Sequence, residues 1–134
     1  MAMPDSIIGT WKLNVAKSKS TEMPKSETMK YQAINNGLKC IIDGIDAEGE
    51  AFHLEFPLIL DGKYYPIKDF PYLDMDSSQK IDASTILHVA KKAGREVESW
   101  QIAVSKDGKT LTLTGKGIAH NGQAFSGTRV FDRQ

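Results

Sequence analysis

The sequence contains a single cysteine, Cys40, no long apolar run and no excess of charge of either sign. One cysteine forms neither an intrachain disulfide nor a zinc cluster, so disulfide scaffolds and zinc modules are excluded. The longest apolar run is about five residues, at positions 56–60, whereas a membrane helix needs about 20. Seventeen Lys and Arg residues balance seventeen Asp and Glu residues. We therefore expect no nucleic-acid partner, which needs a basic surface, and no membrane insertion.

With 134 residues, of which 40% are hydrophobic and 25% charged, the chain fits one globular domain of the usual size, about 100–150 residues. We expect this domain to span residues 1–134, with residues 7–133 ordered. The first residues show no basic segment followed by an apolar one, so no signal peptide is predicted. This favours a cytoplasmic location. Removal of an export signal would instead place the protein in the periplasm or outside the cell.

Apolar and polar residues alternate along much of the chain, which is typical of strands with one buried face. In one such segment, Phe52, Leu54 and Phe56 share a face while His53 and Glu55 lie on the other. The same period of two appears at residues 28–33, 98–104 and 110–114. No segment shows the period of a long amphipathic helix.

Turn dipeptides separate these strands at short intervals, among them Asp61-Gly62 and Asp107-Gly108. Such pairs tolerate the positive φ of tight hairpins, and they indicate a meander of about eight or nine strands. Closing a meander into a barrel removes its exposed edges. The predicted fold is therefore all-β, a single antiparallel up-and-down β-barrel. Two packed sheets remain the alternative, although Greek-key sandwiches need longer crossovers than these turns provide.

Two segments depart from the alternation. Residues 15–25 are polar and contain Pro24, so we expect a loop or a single helical turn there. Residues 57–78 are rich in proline and aromatic residues, which predicts an irregular excursion rather than a central strand. Its aromatic side chains would either plug one barrel end or line a cavity mouth or partner surface: Tyr64, Tyr65, Phe70 and Tyr72.

The strand that contains Gly9, Thr10 and Trp11 resembles the Gly-x-Trp motif of the calycins, the group of lipocalins and fatty-acid-binding proteins. The segment 127–131, with Arg129, resembles their last strand. Segments 9–14, 16–19, 61–66 and 104–112 together resemble an uncharacterised bacterial family of small lipocalin-like proteins, over nearly the whole chain. This resemblance implies a lipocalin-like barrel and no established activity, and export signals precede many members.

Two features differ from the fatty-acid-binding proteins. Their first two strands are joined by a two-helix lid, whereas only the short polar segment 14–27 is available here. Their carboxylate-binding Arg-x-Tyr corresponds to Arg129-Val130-Phe131, so the tyrosine hydroxyl is missing.

Trp11 and Arg129 form the sharpest candidate pair. The resemblance implies that Arg129 covers the Trp11 indole at the closed end of the barrel, as a structural cation–π closure. In the alternative, Arg129 points inward and holds a ligand carboxylate by a bidentate ion pair. Alternation alone does not decide between these roles.

The three histidines, His53, His88 and His120, lack metal-ligand spacing. His53 should face away from Phe52, and His120 should lie in a solvated turn. His88 is either a surface residue or an inward polar anchor able to act as a general base near neutral pH. Acidic residues around a hairpin at 43–50 match no calcium loop. We expect no metal and no cofactor.

Three functions fit these observations. A barrel can hold one small apolar or amphipathic molecule, and the residues expected to line it are Tyr31, Phe52, Phe56, His88, Trp100 and Arg129. An isomerase or cyclase in which His88 or Tyr31 moves a proton is the second, supported only by analogy between folds. A filled barrel that binds a partner through residues 57–78 is the third. A binding protein is favoured over an enzyme, as a monomer or homodimer.

Overall fold

The computed structural model describes residues 5–20, 23–68, 71–119 and 122–134, which form ten strands after a short 3₁₀ turn at Asp5–Ile7. The strands are β1 Gly9–Ser20, β2 Ser26–Ile34, β3 Gly37–Ile45, β4 Ala51–Ile59, β5 Tyr64–Pro66, β6 Met75–Asp82, β7 Thr85–Lys92, β8 Arg95–Val104, β9 Thr110–Ile118 and β10 Ala124–Arg133. This is more than the eight or nine expected, in part because the short β5 lies in the segment predicted to be irregular.

All ten strands belong to one antiparallel sheet in the order β4-β3-β2-β1-β10-β9-β8-β7-β6-β5. Chain neighbours are sheet neighbours except between β4 and β5, and β1 pairs with β10. The predicted all-β, antiparallel up-and-down architecture is confirmed, and a second packed sheet is excluded for the described residues. The sheet curls into a half-barrel whose two edges are β4 and β5.

Prolines mark both edges. Pro57 lies within β4 and Pro66 ends the three-residue β5. Proline donates no hydrogen bond to a neighbouring strand, and short edge strands resist pairing with other chains. Among the excursion's aromatic residues, the Tyr64 ring lies 3.8 Å from Lys91 Nζ and Tyr72 is 48% exposed. Phe70 and His120 lie outside the described residues.

The loop expected over residues 15–25 is only partly correct, because β1 continues to Ser20. Its register with β10 shifts between Asn14 and Lys19, and the ladder resumes at Lys19 and Ser20. Inside the shift, Ser18 Oγ donates to Asn14 O at 2.7 Å and accepts from Val130 N at 2.8 Å. Hydrogen bonds rather than apolar packing hold this polar segment, which is why its alternation shows no strand signal.

The inner face of the sheet divides into two halves. The closed half is filled by a packed core in which Trp11, Leu38, Leu111 and Phe131 are fully buried. In the other half, which we call the open half, inner-facing Leu54 remains 42% exposed. Register and alternation place the following side chains on the open half: Glu27, Ile42, Phe52, Leu54, Phe56, Asp76, Ser78, His88, Glu98, Trp100, Phe125 and Arg129.

Candidate functional site

Arg133, not Arg129, covers Trp11 at the closed end. Its guanidinium carbon lies 4.2 Å from the Trp11 ring centroid. The guanidinium also donates to Ile8 O at 3.0 Å, to Gly108 O at 2.6 Å and to Ser6 O. A Cβ on Gly9 would lie 2.6 Å from Arg133 Nη1, so the glycine of the Gly-x-Trp motif makes room for this arginine. The pairing expected from the sequence is corrected, because the register places Trp11 opposite Arg133.

Arg129 lies in the open half, where it pairs with Glu27. Arg129 Nη1 is 3.3 Å from Glu27 Oε1, and Glu27 is only 5% exposed. Burial raises the pKa of Glu27, and the positive charge of Arg129 acts in the opposite direction. The ion pair links β2 to β10 across β1, on the inner side of its irregular segment. Arg129 is therefore an interior group rather than the closing one.

An aromatic platform lies beside this ion pair. The Trp100 ring is stacked against Phe125, with centroids 6.0 Å apart, and the Arg129 guanidinium carbon is also 6.0 Å from the Trp100 ring. Gly115 makes the platform possible, because a Cβ there would lie 2.2 Å from Trp100 Cε3. Trp100 also donates a hydrogen bond to Glu98, whose pKa is raised mainly by burial.

A polar cluster on β6 and β7 occupies the opposite side of the open half. Ser78 Oγ and His88 Nδ1 are 2.9 Å apart, and His88 Nε2 lies 3.6 Å from Asp76 Oδ2. Burial lowers the pKa of His88 to about 4 and raises the pKa of Asp76 to about 6. At neutral pH the imidazole is uncharged, so this contact is not an ion pair. His88 faces inward, as one of the two sequence interpretations had it.

Apolar side chains of β3 and β4 form the facing wall. Phe52 and Phe56 lie on the inner face with Leu54 between them, as the alternation predicted. The Phe56 ring lies 6.3 Å from the His88 ring, so this wall approaches the β6–β7 cluster across the gap between the sheet edges. His53 is on the outer face, where its ring nitrogens contact Asp43 at 2.5 Å and Glu55 at 2.9 Å.

Tyr31 is part of the core rather than of the open half. It is 2% exposed, its hydroxyl donates to Met29 Sδ at 3.7 Å, and it lies beside the buried thiol of Cys40. Burial raises the pKa of Tyr31 well above its ordinary value. The structure thus brings Phe52, Phe56, His88, Trp100 and Arg129 to the open half and leaves Tyr31 in the packed core.

Sequence reasoning did not assign three polar residues of this face, two acids and a serine, to the site. Glu27 shares the inner side of β2 with Met29 and Tyr31, and one more step along the alternation would have found it. Asp76 and Ser78 lie at the end of the proline-rich segment, where no periodic pattern marks them.

An open groove of about 820 Å³ lies on the outer face, across β7–β10 and the end of β1. Its walls are mainly hydroxyl, amide and lysine side chains, including Ser99, Gln101, Thr114 and Lys116. It contains none of the aromatic or pKa-shifted groups described above, so we regard it as a recess in the solvated face.

Within the described ranges, no group of three potential ligands forms a metal site, and no helix has the length and apolarity to cross a membrane.

Neither a family model nor a curated protein sequence matches this chain. Solved structures do. A Schistosoma mansoni fatty acid binding protein in complex with arachidonic acid has a TM-score of 0.66 at 12% identity, covering 99% of both chains. As-p18, an extracellular fatty acid binding protein, has a TM-score of 0.58 at 12% identity over 100% of both chains.

A zebrafish ileal bile acid-binding protein complexed with cholic acid has a TM-score of 0.56 at 8% identity, covering 96% of this chain and 99% of that one. Identities this low establish the fold alone. The chain therefore has the lipocalin-like, up-and-down β-barrel fold of the calycins, the fold of the fatty-acid-binding proteins.

Proposed function

We propose that this chain is a lipocalin-like binding protein that holds a small apolar or amphipathic ligand in the open half of its interior. One observation carries the proposal. The inner face continues past the packed core as an incompletely covered set of apolar and aromatic side chains, with Leu54 still 42% exposed. Burial of such side chains against an apolar ligand releases water and supplies the binding free energy.

Two walls would contact the ligand. Phe52 and Phe56 stand on β4, and Trp100 stands on β8 beside Phe125. His88 and Arg129 would supply polar contacts between these walls. Tyr31 would not contact the ligand, because it is already covered by the core.

The fold likeness supports this proposal, since the Schistosoma and zebrafish proteins hold arachidonic acid and cholic acid. The sequence resemblance supports membership of the bacterial lipocalin-like family. We also propose a monomer or homodimer that works in water, in the cytoplasm or, after export, in the periplasm or outside the cell.

Native mass spectrometry of the purified, untreated protein tests this function. We expect an additional mass of a few hundred daltons that disappears on denaturation, and the same spectrum gives the oligomeric state. Trp100→Ala should lower the occupied fraction, whereas Ser99→Ala, on the outer face of the same strand, should not. A bare wild-type mass, together with no uptake of added dodecanol or dodecanoate, would contradict the proposal.

The His88 cluster favours reversible proton transfer between the bound ligand and His88 as a second candidate function. His88 is neutral at pH 7, is positioned by Ser78 and has Asp76 at its other nitrogen. Such a group can accept a proton from a ligand carbon acid. Incubation of the captured ligand with the protein in D₂O should then introduce carbon-bound deuterium, and His88→Gln should abolish the exchange. Equal exchange in both proteins, or none in the wild type, would rule out this candidate.

A further inference from the structure

We infer that Glu27 determines which ligands the open half accepts. By occupying the guanidinium of Arg129, it excludes fatty-acid anions and reserves the site for amphipathic ligands with an uncharged polar head. The inference rests on the proposed binding function and goes beyond it by naming the ligand class. It differs from the alternative role that the sequence left open for Arg129, namely that it holds a ligand carboxylate.

The Glu27–Arg129 ion pair is largely withdrawn from solvent. Glu27 is 5% exposed and the Arg129 side chain is 22% exposed, with 3.3 Å between Arg129 Nη1 and Glu27 Oε1. A carboxylate entering from the open half would have to share or displace this partner. Breaking a buried ion pair leaves one charge without its counterion, which is strongly unfavourable.

The open half contains more acidic than basic side chains. Among the described residues of the open half, three carboxylic acids, Glu27, Asp76 and Glu98, share the inner face with one guanidinium. Lys80 alternates onto the same side of β6, but it lies opposite the core residue Ile86. An anionic head would therefore enter a region that already has more negative than positive groups, where like charges repel.

The open half also offers hydrogen-bond acceptors to an uncharged polar head. The carboxyl oxygens of Asp76 and Glu98 and the neutral His88 ring offer acceptors to a hydroxyl or amide head. Trp100 and Phe125 offer aromatic surface for the adjoining apolar chain. An uncharged head leaves the Glu27–Arg129 pair intact, so both partners keep their charge compensation.

Isothermal titration calorimetry with dodecanoate and dodecanol at pH 8 tests the inference, because these ligands share a chain and differ in head charge. We expect the wild type to bind dodecanol at least about tenfold more tightly than dodecanoate. This comparison needs no variant. A wild-type preference for dodecanoate would overturn the inference and leave the binding function intact, whereas no binding of either ligand would remove both.

Glu27→Gln supplies the second test. It keeps the side-chain size and removes the carboxylate that competes with a ligand carboxylate for Arg129. Dodecanoate affinity should rise by about tenfold or more, and dodecanol affinity should stay within about threefold. Glu55→Gln is the matched control, since Glu55 lies on the outer face of β4, away from the open half. An unchanged ratio of affinities in a folded Glu27→Gln protein, with its melting temperature as the check of folding, would refute the role of Glu27.

Discussion

The guanidinium of Arg133 lies over the indole of Trp11, with its carbon 4.2 Å from the ring centroid, and closes the filled end of the half-barrel. The indole nitrogen donates to Ile7 O at 2.9 Å, so the same contact holds the 3₁₀ turn that precedes β1. One arginine thereby joins the two ends of the chain, because β1 and β10 are neighbours in the sheet.

Arg133→Leu should destabilise the fold strongly. The substitution removes a cation–π contact and leaves carbonyls of Ile8 and Gly108 without their donor. We expect a loss of about 2–3 kcal/mol, or roughly 6–12 °C in the melting temperature followed by circular dichroism. Arg95→Leu, at the exposed start of β8, is the control and should change little. Equal melting temperatures for the two variants would contradict the closing role.

Gly115→Ala should displace the indole of Trp100. The added Cβ would lie 2.2 Å from Trp100 Cε3, which forces the ring away from Phe125 at a cost of about 1–3 kcal/mol. Near-ultraviolet circular dichroism reports the ring's surroundings, and thermal melting reports the cost. Thr114→Ala, on the exposed outer face, provides the comparison. An unaltered spectrum and melting temperature would mean that the ring does not lie across Gly115.

The His88 cluster makes two opposing contributions to stability at acid pH. Because burial lowers the pKa of His88 from 6.5 to about 4, its contribution is present above pH 6.5 and is lost as the pH falls toward 4. Because burial raises the pKa of Asp76 from 3.8 to about 6, its contribution is present below pH 3.8 and is lost as the pH rises through 6.

Removing each group should therefore shift the pH profile in a different direction. On acidification from pH 7 to 4.5, the melting temperature of His88→Gln should fall by less than that of the wild type. The melting temperature of Asp76→Asn should fall by more. Thermal melts at several pH values measure both profiles. Parallel profiles for all three proteins would show that these two groups do not titrate differently in the folded and unfolded states.

Cys40 should be unreactive in the native protein. It is 1% exposed, and burial raises the pKa of its thiol to about 12, so almost no thiolate is present at pH 8. Labelling by an aromatic disulfide reagent should proceed only as fast as the fold opens, and denaturant should make it immediate. Ala47→Cys places a second thiol in an exposed turn. In this variant one of the two thiols should react immediately without denaturant. Rapid labelling of the native wild type would show that the core around Tyr31 opens readily.

Much of the fold could be predicted because its information is local. Alternation in residues 51–56 places Phe52, Leu54 and Phe56 on the inner face, and short turns join sheet neighbours. Prolines such as Pro57 lie at a sheet edge, where a missing donor costs least. The polar end of β1 was not predictable in this way, since its ladder with β10 depends on residues more than a hundred positions away.

The choice between Arg129 and Arg133 shows the limit of sequence reasoning most clearly. Both arginines lie on the same face of β10, so alternation treats them alike. The register of β10 against β1 places Arg133 opposite Trp11 and leaves Arg129 to find Glu27 on β2. By itself, the sequence determined which side chains of a strand share a face, because side chains alternate along every strand. Only the tertiary structure decided which of them meet, because contacts between distant strands depend on the register and curvature of the whole sheet.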